Sequence, residues 1–315
     1  MILCCGEALI DMIPRPTTDG SEGFVPHSGG AVFNTAIALG RLGARVGMVT
    51  GLSTDMFGQQ LDDSLRASHV DTSRVIRADR PTTLAFVKLT DGHASYSFFD
   101  ENSAGRMIGV EDLPVLPDTV SALFFGGISL AVDPCADTYA TLLAREGAGR
   151  AVMMDPNIRP GFIRDAARYR NRLTRMLALT DIVKVSDEDL DWLYPGPEAQ
   201  TDKLANLRRS GPSIVVLTKG SDGATASLAD GTEVHVDAPP VTVADTVGAG
   251  DTFNAGLLAS LSDQGALSKA GVKALTAGQV QTALFLAAKA AAVTVSRAGA
   301  NPPWAEEVSP SLTTN

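Results

Sequence analysis

Short apolar runs alternate with amphipathic stretches through the second half of this chain. The runs at 122–125, 151–155, 182–185 and 214–217 have strand length. Those at 136–146, 165–179, 187–193 and 201–210 carry helical periodicity. Apolar strands alternating with helices predict a mostly parallel sheet covered on both faces. A hairpin over Asp230-Gly231 (strands 224–228 and 233–236) follows, and an apolar helix over 279–295 comes near the end. The first half begins in the same style. Residues 1–5 predict a buried strand ended by Gly6-Glu7, and 46–50 another strand. A helix of small residues runs from Gly29-Gly30 to a stop at Gly43, and 57–68 is an amphipathic helix.

Two stretches depart from this alternation. Residues 8–13 are extended and place Asp11 among apolar neighbours, a costly position for an unpaired carboxylate. The strand-like runs 83–89 and 94–99, joined by Thr90-Asp91-Gly92-His93, predict a hairpin. Together they predict a small β-sheet lid outside the main sheet, drawn from about 9–30 and 75–107. The segment 14–26, rich in Gly and Pro, reads as loop. The expectation is one α/β unit over 1–315, a three-layer sandwich with this lid.

Composition narrows the function. The chain has 315 residues, a 44% hydrophobic share and a net charge of −10. That charge argues against a polyanion-binding surface, so nucleic acid is not an expected partner. Cys4, Cys5 and Cys135 show neither metal spacing nor a disulfide framework, which fits a reducing cytoplasm. No signal peptide is evident. The apolar helix candidate at 283–295 is interrupted by Lys289 and too short to cross a bilayer. A cytoplasmic enzyme without a membrane partner is expected.

The candidate chemistry lies in Asp245-Thr246-Val247-Gly248-Ala249-Gly250-Asp251, just before a helix of small and apolar residues. Backbone N–H groups at a helix start lack intrahelical partners and face anions. Asp251, in the first turn, either caps the helix or takes a proton from a hydroxyl held beside a phosphate. Gly29-Gly30 before Asn34 is either a tight turn or a close approach for a ligand. In parallel sheets ligands bind at the carboxyl ends of the strands. Gly126-Gly127, Asp155-Pro156-Asn157, Ser186-Asp187-Glu188-Asp189 and Thr218-Lys219-Gly220-Ser221-Asp222-Gly223 all follow such ends. Walker, dinucleotide and protein-kinase motifs are absent from the sequence.

Two separated signatures, Gly29-Gly30-Ala31-Val32-Phe33-Asn34-Thr35-Ala36 and Asp245 through Phe253, resemble the ribokinase-like (PfkB) family of ATP-dependent sugar kinases. The order of elements between them matches as well. Gly6-Glu7-Ala8-Leu9-Ile10-Asp11, Arg80-Pro81-Thr82-Thr83 and Asp155-Pro156-Asn157-Ile158-Arg159-Pro160 are most similar to bacterial fructokinases.

The resemblance implies ATP as phosphate donor and fructose, phosphorylated on its C6 hydroxyl, as acceptor. Ribose and 2-keto-3-deoxygluconate are the alternative acceptors, and a non-catalytic sugar- or nucleotide-binding regulator is the alternative of another class. Asp251 would be the general base, with the backbone of Gly248, Ala249, Gly250 and Asp251 as anion hole. Asp11, Gly29, Gly30, Asn34, Phe98 and Arg159 would hold the sugar. Lys184, Ser186, Thr218, Gly220, Gly223, Gly248, Gly250 and Ala288 would meet the nucleotide. Asp245, Val247, Thr294, Arg297 and Gly299 would hold a monovalent cation, K⁺. The family's magnesium motif, Asn-x-x-Glu, is here Ser186-x-x-Asp189, so the resemblance implies Asp189 acting on Mg²⁺ through water. The lid's exposed edge would suit a homodimer.

Overall fold

A computed structural model describes residues 1–90 and 93–308, with backbone only at 88–90 and 93–96. In chain order the elements are β1 (Ile2–Cys5), β2 (Leu9–Pro16), β3 (Glu22–Gly29), α1 (Ala31–Arg41), β4 (Val46–Val49), β5 (Gly51–Ser53) and α2 (Met56–Ala67). Then come β6 (Ile76–Ala78), β7 (Leu84–Thr90), β8 (His93–Phe99), β9 (Ala122–Gly126), α3 (Cys135–Glu146), β10 (Ala151–Asp155), α4 (Ala166–Leu177) and β11 (Ile182–Ser186). The chain continues with α5 (Asp187–Leu193), α6 (Gln200–Arg209), β12 (Ile214–Thr218), β13 (Ala224–Ser227) and β14 (Glu233–Val236). It closes with α7 (Ala249–Asp263), α8 (Lys269–Lys273), α9 (Ala277–Val295) and α10 (Ala305–Val308).

The main sheet has eight strands in the order β14-β13-β12-β11-β10-β9-β1-β4. It is parallel from β4 to β12 and ends in the antiparallel pair β13 and β14. Successive strand residues feed two separate cores. Ile2 and Cys4, Phe124 and Met153 join one, packed under α1, α2, α7 and α9. Leu3 and Cys5, Phe125 and Val152 join the other, packed under α3 to α6. This is the period-two alternation of a sheet buried on both faces, and the expected three-layer sandwich is present. Among the described residues no helix is long and apolar enough to cross a membrane.

A second sheet, β3-β2-β7-β8, stands apart as the lid. It corrects the loop expected at 14–26. There β2 and β3 pair antiparallel from Leu9↔Gly29 to Pro16↔Glu22, around a turn closed by the Thr17 N–H donating to the Ser21 carbonyl at 2.9 Å. The prolines made this stretch read as loop because they donate nothing to a ladder. They are tolerated because β3 is an edge strand and β7 pairs with β2 only at Ile10–Met12, leaving Pro14 and Pro16 on a free side. Within the span expected to build the lid, β6 goes elsewhere and pairs parallel with β5. β7 and β8 pair antiparallel as expected. The Asp91-Gly92 turn expected between them lies outside the described residues.

Strand β1 is flanked by β4 on one side and β9 on the other. The chain leaves β1 in both directions, and the crevice outside its carboxyl end is where a doubly wound sheet receives its ligands.

Candidate active site

Helix α7 begins at Gly248, whose φ of 80° and ψ of 0° are left-handed. A side chain there would be strained, and its Cβ would come within 2.7 Å of the Ala300 Cβ. The Ala249 N–H turns back to the Thr246 carbonyl at 3.3 Å. Those of Gly250 and Asp251 have no backbone acceptor among the described residues, so they are the helix's first unpaired donors. Small residues let α7 lie buried against α1 and α9: a Cβ on Gly256 would come within 2.6 Å of the Ala287 Cα.

Asp251 is 8% exposed. Burial pushes its pKa up to about 7, Asp155 adds to the rise, and the Asn34 hydrogen bond and the Lys184 charge oppose it. The Asn34 Nδ2 donates to Asp251 Oδ2 at 2.9 Å, and the Thr35 hydroxyl donates to the Asp251 carbonyl at 3.2 Å. Helix α1 therefore fixes Asp251 through Asn34 and Thr35. A carboxylate with a pKa near neutrality is poised to take a proton.

A cavity of about 620 Å³ opens in front of it. Asp11, Gly30, Phe98, Arg159, Lys184, Val247, Gly248, Ala249, Gly250 and Asp251, all expected at the site, line it. Asn34 and Gly29 act one step back. Asn34 holds Asp251, while a Cβ on Gly29 would come within 2.2 Å of Asp11 Oδ2, so the bare backbone leaves room for the carboxylate. Burial raises the Asp11 pKa to about 6.

A second cavity of about 460 Å³ shares Thr246, Ala249 and Gly250 with the first. Thr218, Gly220, Gly223 and Ala288 line it as expected, together with Pro239, Pro240, Val241, Val243, Ala291 and Ala292. Its walls are largely apolar. Val241 and Val243 are 39% and 57% exposed, which suits a flat ring lying against them. The start of α7 thus separates a polar cavity from an apolar one.

Beneath the loop lies a buried pair. Lys184 Nζ meets Asp155 Oδ2 at 2.9 Å, and Asn254 Nδ2 donates to the same oxygen at 2.7 Å. Burial alone would lower the Lys184 pKa, but the Asp155 carboxylate, with the charges of Asp189 and Asp251, outweighs it and holds the ammonium above its ordinary value. A Cβ built on Gly250 would come within 3.1 Å of Lys184 Nζ, so the charge sits directly behind the anion loop.

Ser186 and Asp189 line neither cavity. They form a capping box at the start of α5: the Asp189 N–H donates to Ser186 Oγ at 3.1 Å, and Asp189 Oδ2 accepts from the Ser186 N–H and hydroxyl at 3.1 and 2.8 Å. Asp189 Oδ1 accepts the Ile158 N–H at 2.7 Å and so anchors the loop that carries Asn157 and Arg159 to the first cavity.

Asp245 accepts the N–H of Val247 at 3.0 Å and of Gly299 at 2.9 Å, joining the anion loop to the turn after α9. The Thr294 carbonyl takes the Arg297 N–H at 3.1 Å within that turn. The residues expected at a cation site are therefore gathered on one seam behind Gly248. Among the described residues no cluster of three or more His, Cys, Asp or Glu side chains could hold a metal.

Four residues given no individual role from the sequence belong here, two of them (Asp155 and Asn157) on a loop expected at the rim. Glu7 accepts the Ala31 N–H at 3.0 Å and the Ser129 N–H at 3.2 Å, tying the start of α1 to the turn after β9, and burial raises its pKa. Asp155 holds Lys184, Asn254 holds Asp155, and Asn157, with φ 43°, lines the first cavity. The available signal was a carboxylate at the end of a fully apolar strand, which Glu7 and Asp155 share.

A polyol-sized cavity meeting an anion-binding helix start beside a buried carboxylate defines a phosphotransferase with an alcohol acceptor. Residues 1–307 match the pfkB family of carbohydrate kinases, and the chain belongs to that family. It is 54% identical over 276 residues to a fructokinase of Rhizobium leguminosarum bv. trifolii, covering 87% of this chain and 84% of that one. A fructokinase from Xylella fastidiosa with bound ATP superposes with a TM-score of 0.88 at 30% identity, covering 98% of this chain and 96% of that one. A fructokinase double mutant from Vibrio cholerae O395, with fructose, ADP and a potassium ion, superposes with a TM-score of 0.82 at 25% identity, covering 95% and 93%.

Proposed function

We propose that this chain is a fructokinase, transferring the γ-phosphoryl group of ATP to the C6 hydroxyl of fructose. The observation that carries the mechanism is the buried Asp251, which lines the first cavity next to Gly250, a residue that lines both. Asp251 takes the hydroxyl proton as the sugar oxygen attacks phosphorus and ADP leaves. The N–H groups of Gly250 and Asp251, with Gly248 allowing the turn, stabilise the charge on the transferring group. Lys184 adds a fixed positive charge behind them. Asp11 accepts hydrogen bonds from sugar hydroxyls, and Gly30 and Arg159 complete the polar wall. The 54% identity to the Rhizobium fructokinase supports fructose. The test is a sugar panel with coupled ADP detection, run with and without K⁺. Turnover on ribose or 2-keto-3-deoxygluconate but not fructose would overturn the substrate assignment.

The adenine would lie on Ala288, Ala291 and Ala292. Enlarging Ala288 to Leu fills that wall and is expected to raise the KM for ATP about tenfold or more while leaving the KM for fructose unchanged, a difference steady-state kinetics would read directly.

A monovalent cation fits the seam formed by Asp245, Val247 and the turn over Arg297 and Gly299, since each Asp245 oxygen keeps a lone pair beyond its N–H bond. When bound, it would bias the anion loop electrostatically. For Mg²⁺ the fit is poor: Asp189 accepts three hydrogen bonds within the fold, which favours an ordering role for it over a magnesium role. Ser186→Ala separates the two. Loss of the cap lowers unfolding stability by about 1 kcal/mol in a denaturant titration, with the Mg²⁺ concentration for half activity unchanged; a rise in that concentration would restore the metal role. Phe24 and Phe99, 41% and 58% exposed on the lid, would be the meeting surface of a homodimer.

A further inference from the structure

The sugar cavity has a third neighbour. A smaller pocket of about 200 Å³ lies beyond Phe98, Gly161 and Phe162, and these three residues line both spaces. The wall between them is an aromatic pair. The Phe98 ring on the lid and the Phe162 ring on the loop after β10 stand edge-to-face, centroids 4.1 Å apart at 64°. Each side of the wall is separately anchored. Phe162 sits in a single 3₁₀ turn, its N–H donating to the Arg159 carbonyl at 2.9 Å. Arg164 reaches back to Glu101 just after β8 at 3.3 Å, bridging loop and lid.

The outer pocket is polar. Arg106 Nη1 donates to Asp100 Oδ1 at 3.0 Å, but the buried Asp100 Oδ2 has no hydrogen-bond partner among the described residues. Asp100, Glu101, Arg106 and Arg164 all line this pocket, a charged and polar lining suited to a hydroxyl-bearing group. Along the row of cavities the nucleotide space adjoins the sugar space at Gly250, and the outer pocket adjoins it at Phe162.

We infer that Phe162 is the specificity-determining residue that ends the acceptor cavity at monosaccharide length, by closing an aromatic partition with Phe98 against a polar pocket. This rests on the fructokinase reading. With the reacting C6 hydroxyl at Asp251, the opposite end of the sugar, C1, faces the partition, and what the partition excludes is a hydroxyl-bearing extension on that carbon. Phe162 is only partly buried and lies outside both cores, so its truncation leaves the fold in place.

The test compares wild type, Phe162→Ala and Phe162→Leu on fructose and on inulobiose, which carries a fructosyl unit on the 1-oxygen of its reducing fructose. Wild type is expected to act on fructose and scarcely on inulobiose. Phe162→Ala should raise kcat/KM for inulobiose and lower it for fructose, each by about tenfold or more, with Phe162→Leu between them. Thermal unfolding checks that all three fold. An unchanged inulobiose-to-fructose ratio in a folded Phe162→Ala protein overturns the proposal. If wild type ignores fructose, the fructokinase reading fails. The partition is then judged by the same ratio, measured on the accepted sugar and its extended analogue.

Discussion

Asp251→Asn is expected to lower kcat by about 10²–10⁴-fold, the usual contribution of a positioned general base. It should leave the KM for ATP nearly unchanged, because the backbone donors at the start of α7 remain. The asparagine carbonyl can still accept the Asn34 amide, so the cavity keeps its shape. The wild-type pH profile is the matching prediction. With burial holding the Asp251 pKa at about 7, kcat/KM for the sugar should rise with pH through about 7 and level off above it. A flat profile between pH 5 and 8 would remove Asp251 from the proton transfer.

Stability must move the other way. The folded pKa of Asp251 lies above its ordinary value of 3.8, so between that value and about 7 the folded state binds the proton that the unfolded state has lost. Stability therefore falls as pH rises through this window, and above it the protein carries the full cost of a buried charge. Asp251→Asn removes that cost. The inactive variant is expected to melt about 2 °C or more higher than wild type at pH 8, and to differ little at pH 4, as differential scanning calorimetry would show.

Why the layered fold was legible while part of the site was not follows from how each is encoded. Strands such as 122–125 and 182–185 are buried on both faces, so their apolar runs stand out in one dimension. Gly248–Asp251 alone could equally be an ordinary helix cap, and it drew its expected role from the second signature, Gly29–Asn34, at a distance along the chain. The β2–β3 hairpin was obscured, since its prolines carry loop statistics and only the edge position of β3 and the early departure of β7 make them harmless. Glu7, Asp155 and Asn254 were obscured for another reason. Each acts by meeting residues 24 to 122 positions away, and no local spacing encodes those meetings. Ser186-x-x-Asp189 is legible in two ways. Its spacing resembles a metal motif, yet serine and an acid three residues on are also what a capping box requires.

Lys184→Met should be the most destabilising of these substitutions and also a catalytic one, and the two effects can be separated. Lys184 is 5% and Asp155 1% exposed, and removing one partner leaves a buried charge uncompensated, a loss of about 3–5 kcal/mol. Asn254 and the Asn157 N–H still donate to Asp155 but bring no charge. Activity should fall about 10²-fold, comparable to losing one donor to a developing anion, because the only cation held against Gly250 among the described residues is gone. Lys184 lowers the Asp251 pKa and Asp155 raises it, so the alkaline-rising limb of the pH profile should shift to higher pH in the single variant. Adding Asp155→Asn neutralises the orphaned carboxylate. The double variant should recover most of the lost stability in urea titrations and move the limb back, yet remain about 10²-fold slow. Recovery of kcat along with stability would reduce Lys184 to a structural cation and leave the backbone donors alone to carry the transferring phosphate.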